Sequence, residues 1–86
     1  MKTVVCVYDT DQRAEVKFRE MLNFLGDNIR RASYNPMIIE LKHTQYRFIC
    51  SEVLSQLRGI RINQVFLDEM VTLTEEQRIF LKTRYE

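Results

Sequence analysis

Asn63-Gln64-Val65-Phe66-Leu67-Asp68-Glu69 is the stretch on which the fold turns. Its centre is apolar at three successive positions and its end changes abruptly to two carboxylates. Such a segment predicts a strand buried on both faces that leaves its sheet at Asp68. The opening Thr3-Val4-Val5-Cys6-Val7-Tyr8 has the same continuously apolar, β-branched character. Between the two, the pattern differs: Met37, Ile39 and Leu41 alternate with Ile38, Glu40 and Lys42, and Tyr46, Phe48 and Cys50 alternate with Arg47 and Ile49. Period-two alternation marks half-exposed strands, and residues 42–45 are a short enough link to make them an antiparallel hairpin. Strands apolar on both faces belong in the middle of a covered sheet, so the first and last strands are expected side by side and parallel, with the hairpin towards an edge. A ferredoxin-like sandwich has the same order of elements in an antiparallel sheet with one open face, but its outer strands should alternate, and these do not.

The helices follow from spacing and caps. Asp9-Thr10-Asp11-Gln12 supplies a helix start, with Gln12 three residues after a possible Asp9 cap. Ala14, Phe18, Met21, Leu22 and Leu25 then form one apolar stripe and Gly26 is the stop. Asn35-Pro36 breaks the chain. Ser51 is positioned to cap a short second helix carrying Val53, Leu57 and Ile60, with Gly59 near its end. Thr74-Glu75-Glu76-Gln77 is a capping-box pattern opening a terminal helix that runs into the charged Lys82-Thr83-Arg84-Tyr85-Glu86. The fold class is α/β, a small two- or three-layer arrangement with the order β-α-β-β-α-β-α.

At 86 residues the chain holds one domain, 1–86. Thirteen Lys and Arg against twelve Asp and Glu leave a net charge of +1, which supplies no overall field for nucleic acid or acidic membranes. Cys6 and Cys50 sit among apolar neighbours without metal-ligand spacing and are expected as core thiols of a reducing compartment, with a single bridge between them as the alternative. The apolar run at the start ends at Asp9, too short for a signal peptide, and nowhere do about 18 apolar residues follow one another. A cytoplasmic protein without a membrane span is expected.

Asp68 and Glu69 occupy the carboxyl end of an apolar strand, the edge of an open α/β sheet where ligands usually bind. The plain alternative is that the chain leaves the sheet there and its charges are solvated. The succession of the strand at 3–8, a helix with Gln12 and Ala14, Ile38-Ile39-Glu40-Leu41, Tyr46-Arg47-Phe48-Ile49-Cys50-Ser51, Leu57-Arg58-Gly59-Ile60-Arg61-Ile62 and Val65-Phe66-Leu67-Asp68-Glu69 resembles the middle of a phage large-terminase or helicase-like ATPase core, over residues 3–70. By that resemblance the Asp-Glu pair is a Walker B motif, with Asp68 the metal-side acid and Glu69 the catalytic base. The chain departs from the family in one respect. It has no Gly-x-x-x-x-Gly-Lys-Ser/Thr, and its only glycines, Gly26 and Gly59, are not grouped. Without amides and a lysine to hold the phosphates, two carboxylates repel a nucleotide, so neither an enzyme nor a cofactor or metal is expected.

Other polar residues offer less. His43, the single histidine, lies in the hairpin turn beside Lys42, as a solvated residue would. Arg30, Arg31, Arg47, Arg58 and Arg61, with Tyr34 and Tyr46 between them, form a nucleic-acid surface only if the fold gathers them on one face. Met21, Met37 and Met70 would furnish an adaptable contact surface if they were exposed together, but the first two fall on core faces and core filling is the expectation. The expected function is a non-catalytic, phage-derived protein-interaction module, a remnant of an ATPase core without its phosphate loop. Its partner would be another protein or a second copy of itself. The alternatives are a nucleic-acid-binding accessory protein, a residual metal-dependent enzyme centred on Asp68 and Glu69, and a ferredoxin-like small inhibitor of a host or defence protein.

Overall fold

The computed structural model describes residues 1–84; Tyr85 and Glu86 of the charged tail lie outside the described residues. Strand β1 (Lys2–Tyr8) leads into helix α1 (Asp11–Leu25), and then follow β2 (Arg31–Tyr34), β3 (Met37–Glu40) and β4 (Thr44–Cys50). A 3-10 segment (Ser51–Leu57), β5 (Gln64–Leu67) and helix α2 (Glu75–Arg84) complete the chain. The five strands form one sheet in the order β2-β3-β4-β1-β5. β1 lies between β4 and β5 and is parallel to both, with Cys6 opposite Phe48 on one side and Phe66 on the other. β2, β3 and β4 are antiparallel neighbours. The parallel adjacency of the first and last strands and the hairpin towards an edge agree with the sequence; the antiparallel sandwich is excluded.

Alternation of side chains across the sheet sorts the core into two halves. Val4, Cys6 and Tyr8 pack with Ile39 and Phe48 against Ala14 and Phe18 of α1. Val5, Val7 and Ile49 face the other way, against Leu54 and Leu57 of the 3-10 segment, Ile62, and Leu81 of α2. The result is a helix layer on each side of the sheet. β1 is buried throughout its second half because both of its faces are covered and both of its edges are paired. Cys6 and Cys50 are buried free thiols in these layers, and burial pushes the Cys6 thiol up to about 11.

Several local expectations change. Residues 31–34 form a strand that the sequence does not announce, because Arg31-Ala32-Ser33-Tyr34 has no apolar run and is ordered by pairing with β3. The cap of α1 is Thr10 and not Asp9: the Thr10 hydroxyl accepts from the Arg13 N–H at 3.1 Å. Gly26 ends α1 as expected, with φ +52° and its N–H donated to Leu22 O. The second helix is a 3-10 segment broken at Val53, with Cys50 rather than Ser51 at its cap and no side-chain cap bond. At α2 the capping box is complete, since the Gln77 N–H donates to Thr74 Oγ1 at 3.1 Å and the Thr74 N–H to Gln77 Oε1 at 2.9 Å. The largest correction concerns β5. Burial on both faces is expected from Val65-Phe66-Leu67, yet β5 is an edge strand with Phe66 51% and Leu67 44% exposed. α1 lies over the β4 side of the sheet, which leaves Phe66 uncovered, and α2 only partly covers the opposite face.

Candidate functional site

The carboxyl ends of β4, β1 and β5 lie side by side and present Cys50, Asp9 and Asp68. The loops after β1 and β4 depart to opposite faces, which makes this the switch point of the sheet. Asp68 follows β5 on the α1 side, since even-numbered positions of β1 and β5 face that helix. There it is 7% exposed and meets the first turn of α1. Arg13 Nε donates to Asp68 Oδ2 at 2.7 Å and Arg13 Nη2 to Oδ1 at 3.2 Å, a two-pronged pair, and the Met70 N–H adds a third bond to Oδ2 at 3.2 Å. The Arg13 hydrogen bonds hold the Asp68 carboxyl below the usual carboxylate range. Glu69, by contrast, is exposed. The two members of the Asp-Glu pair therefore differ in state: one acid is tied to an arginine and the other stands in solvent.

Asp9 contributes a buried Oδ1 without a hydrogen-bond partner, and its carbonyl accepts from Cys50 Sγ at 3.4 Å. Among the described residues no three His, Cys, Asp or Glu side chains converge to hold a metal ion. A cation at Asp68 would have to displace the Arg13 guanidinium from both oxygens. The arrangement fastens α1 to the end of β5 and engages both oxygens of Asp68.

The five arginines do not gather. Arg31 begins β2 at one edge of the sheet, whereas Arg58 and Arg61 precede β5 at the other, four strand spacings or roughly 19 Å away. Arg47 is half-buried in β4, bonded from Nε to Gln45 Oε1 at 2.8 Å, and burial lowers its pKa. Arg30 is exposed beside Arg31, and its N–H donates to Glu40 O. His43 is exposed in the hairpin turn, its carbonyl accepting from the Lys2 N–H. Met21 and Met37 are half-buried against the α1 side, while Met70 is 59% exposed.

What the fold does concentrate is apolar surface at β5. Phe66 touches Tyr8 with its ring, 6.5 Å between centroids, and leaves its outer half bare. Leu67 lies on the opposite face and, with Val65, Leu73 and Leu81, floors a groove of about 520 Å³ between β5 and α2, with Arg78 and Lys82 on its rim. β1 occupies one side of β5 only, so half of its backbone N–H and C=O groups point away from the sheet. The sequence signals for Arg13 and this edge are indirect. Arg13 is found only by combining strand parity with the first turn of the following helix, and exposure of β5 only by knowing what covers it. A second cavity of about 530 Å³ lies between the β2–β3 turn and α1, with Asp11, Glu15 and Arg47 mixed on its wall. Comparison with known families, curated proteins and solved structures gives no match.

Proposed function

We propose that this chain is a non-catalytic interaction module whose working surface is the outer edge of β5, and that the strand it accepts belongs to a second copy of itself. The observation that carries the reading is the composition of that edge. Gln64-Val65-Phe66-Leu67 has no charge, no proline and no bulky cover, whereas soluble proteins ordinarily protect an edge strand with such devices. Antiparallel addition of a second β5 joins two five-stranded sheets and satisfies the outward backbone groups of both. The reading as a phosphate-loop-less remnant of a terminase-like ATPase core is supported by the parallel β1 and β5 with an Asp-Glu pair at their exit, and by the missing lysine loop. Binding without catalysis is supported by the engagement of both Asp68 oxygens by Arg13.

Sedimentation velocity over a concentration series tests the reading. Wild-type protein is expected to shift from monomer to dimer with concentration, and Leu67→Lys, which places a charge on the exposed edge, to remain monomeric. A wild-type chain that stays monomeric up to about 100 µM, where even a dissociation constant in the micromolar range is detected, overturns it.

A further inference from the structure

We infer that the β5 edge is built for self-pairing in one direction only, with Glu69 of one copy seated against Lys82 of the other, twice across a two-fold axis. The inference rests on the edge reading above and adds what selects the partner. A strand with different charges at its two ends is complementary to itself when antiparallel and not when parallel. β5 has this character. Its carboxyl end runs into the exposed Glu69. Its amino end lies beneath the carboxyl end of α2, since the Ile62 N–H donates to Arg84 O at 3.0 Å. Lys82, in that last turn of α2, is exposed and rims the groove beside Val65 and Leu67.

Antiparallel apposition about a two-fold axis perpendicular to the sheet keeps the α2 faces of both copies on the same side. Strands then stand about 4.8 Å apart, and the acidic exit of each copy falls beside the basic end of the other copy's α2. Parallel apposition, whose two-fold axis runs along the strands, would instead bring Glu69 towards Glu69 and carry the two α2 helices to opposite faces, out of reach of either carboxylate. Neither Glu69 nor Lys82 forms a salt bridge within its own chain among the described residues. The two carboxylate–ammonium contacts thus set register and direction, while the apolar edge supplies the association.

Two charge-reversed variants test this. Glu69→Lys and Lys82→Glu alter exposed side chains, and circular dichroism of each confirms that the fold is kept. Each alone places two like-charge contacts in the homodimer and is expected to raise its dissociation constant roughly three- to thirtyfold. Mixed in equal amounts, the two variants restore both opposite-charge contacts, one in the wild-type sense and one with acid and base exchanged, so native mass spectrometry should show mainly the mixed dimer. A statistical mixture, or dissociation constants equal to wild type, overturns the inference while wild-type dimerisation leaves the edge reading standing. A monomeric wild type overturns both.

Discussion

The two edges of the sheet are opposites. β2 is Arg31-Ala32-Ser33-Tyr34, begun by consecutive arginines and closed by Asn35-Pro36. Its aromatic side chain, Tyr34, lies against Phe18 at 6.1 Å and bonds through its hydroxyl to Glu15, while Arg19 stands over its ring. That edge carries charge and a proline and is held to α1 by its own side chains. Within Gln64–Leu67 β5 has no charge, its acids following only at Asp68 and Glu69, and its exposed side chains are Phe66 and Leu67, which lack the polar group by which the equally exposed Tyr34 is fastened. A sheet that protects one edge and leaves the other bare has a single strand open to addition, so the self-pairing proposed above would close at two copies and would not grow further.

If β5 is bare on its outside, it must be anchored from within. Ile62 is fully buried under its amino end, and the backbone of the same residue ties α2 to the sheet. Ile62→Ala is therefore expected to produce the largest loss, about 2 to 5 kcal/mol, because the cavity forms where β5, α2 and β1 meet. The corresponding truncation beside β2, Ile29→Ala, removes a half-buried side chain and should cost less, about 1 kcal/mol. Urea unfolding of both variants checks the difference. Equal losses would mean that the two edges are anchored alike.

This asymmetry is half legible in the sequence. Continuous apolarity in Val4-Val5-Cys6-Val7 and Val65-Phe66-Leu67 correctly places the two strands together and parallel, because only strands in an α/β sheet carry side chains worth burying on both faces. It cannot separate a central strand from an edge whose outer surface is left uncovered, since both present the same residues. β2 is hidden for the converse reason: Ala32 and Ser33 have no pattern, and the strand exists through its pairing with Met37–Glu40 and the Tyr34 contact with α1. The Asp-Glu pair is legible as a position but not as a state. Arg13 lies 55 residues earlier, and only the fold brings it to Asp68.

Each edge also has a carboxylate held below its usual range, and the two separate in acid. At β5 the group is Asp68, held chiefly by Arg13; near β2 it is Glu15, held chiefly by the Tyr34 hydroxyl and then by Arg19. A carboxyl whose folded pKa is depressed stabilises the fold at neutral pH, fully so above the ordinary value of about 4. That contribution is lost as pH falls through the lower folded value. Thermal unfolding between pH 6 and pH 2 should show an acid loss that Arg13→Gln makes shallower. Tyr34→Phe should flatten it less, because Glu15 is more open to solvent than Asp68. An unchanged acid slope in Arg13→Gln would show that Asp68 does not anchor β5.

The smallest expected effect is at the protected edge itself. Ala32 is exposed in β2, opposite Ile39 of β3. Ala32→Lys adds one more positive charge to an edge already guarded by Arg30 and Arg31, so it should change stability by no more than about 0.5 kcal/mol. It should also leave the monomer–dimer equilibrium where it is. The same lysine at Leu67 abolishes pairing if the edges differ as argued, although both substitutions put one ammonium on one outer strand. Dissociation caused equally by Ala32→Lys would place the interface on β2, and the exposed side chains of β5 would then need another explanation.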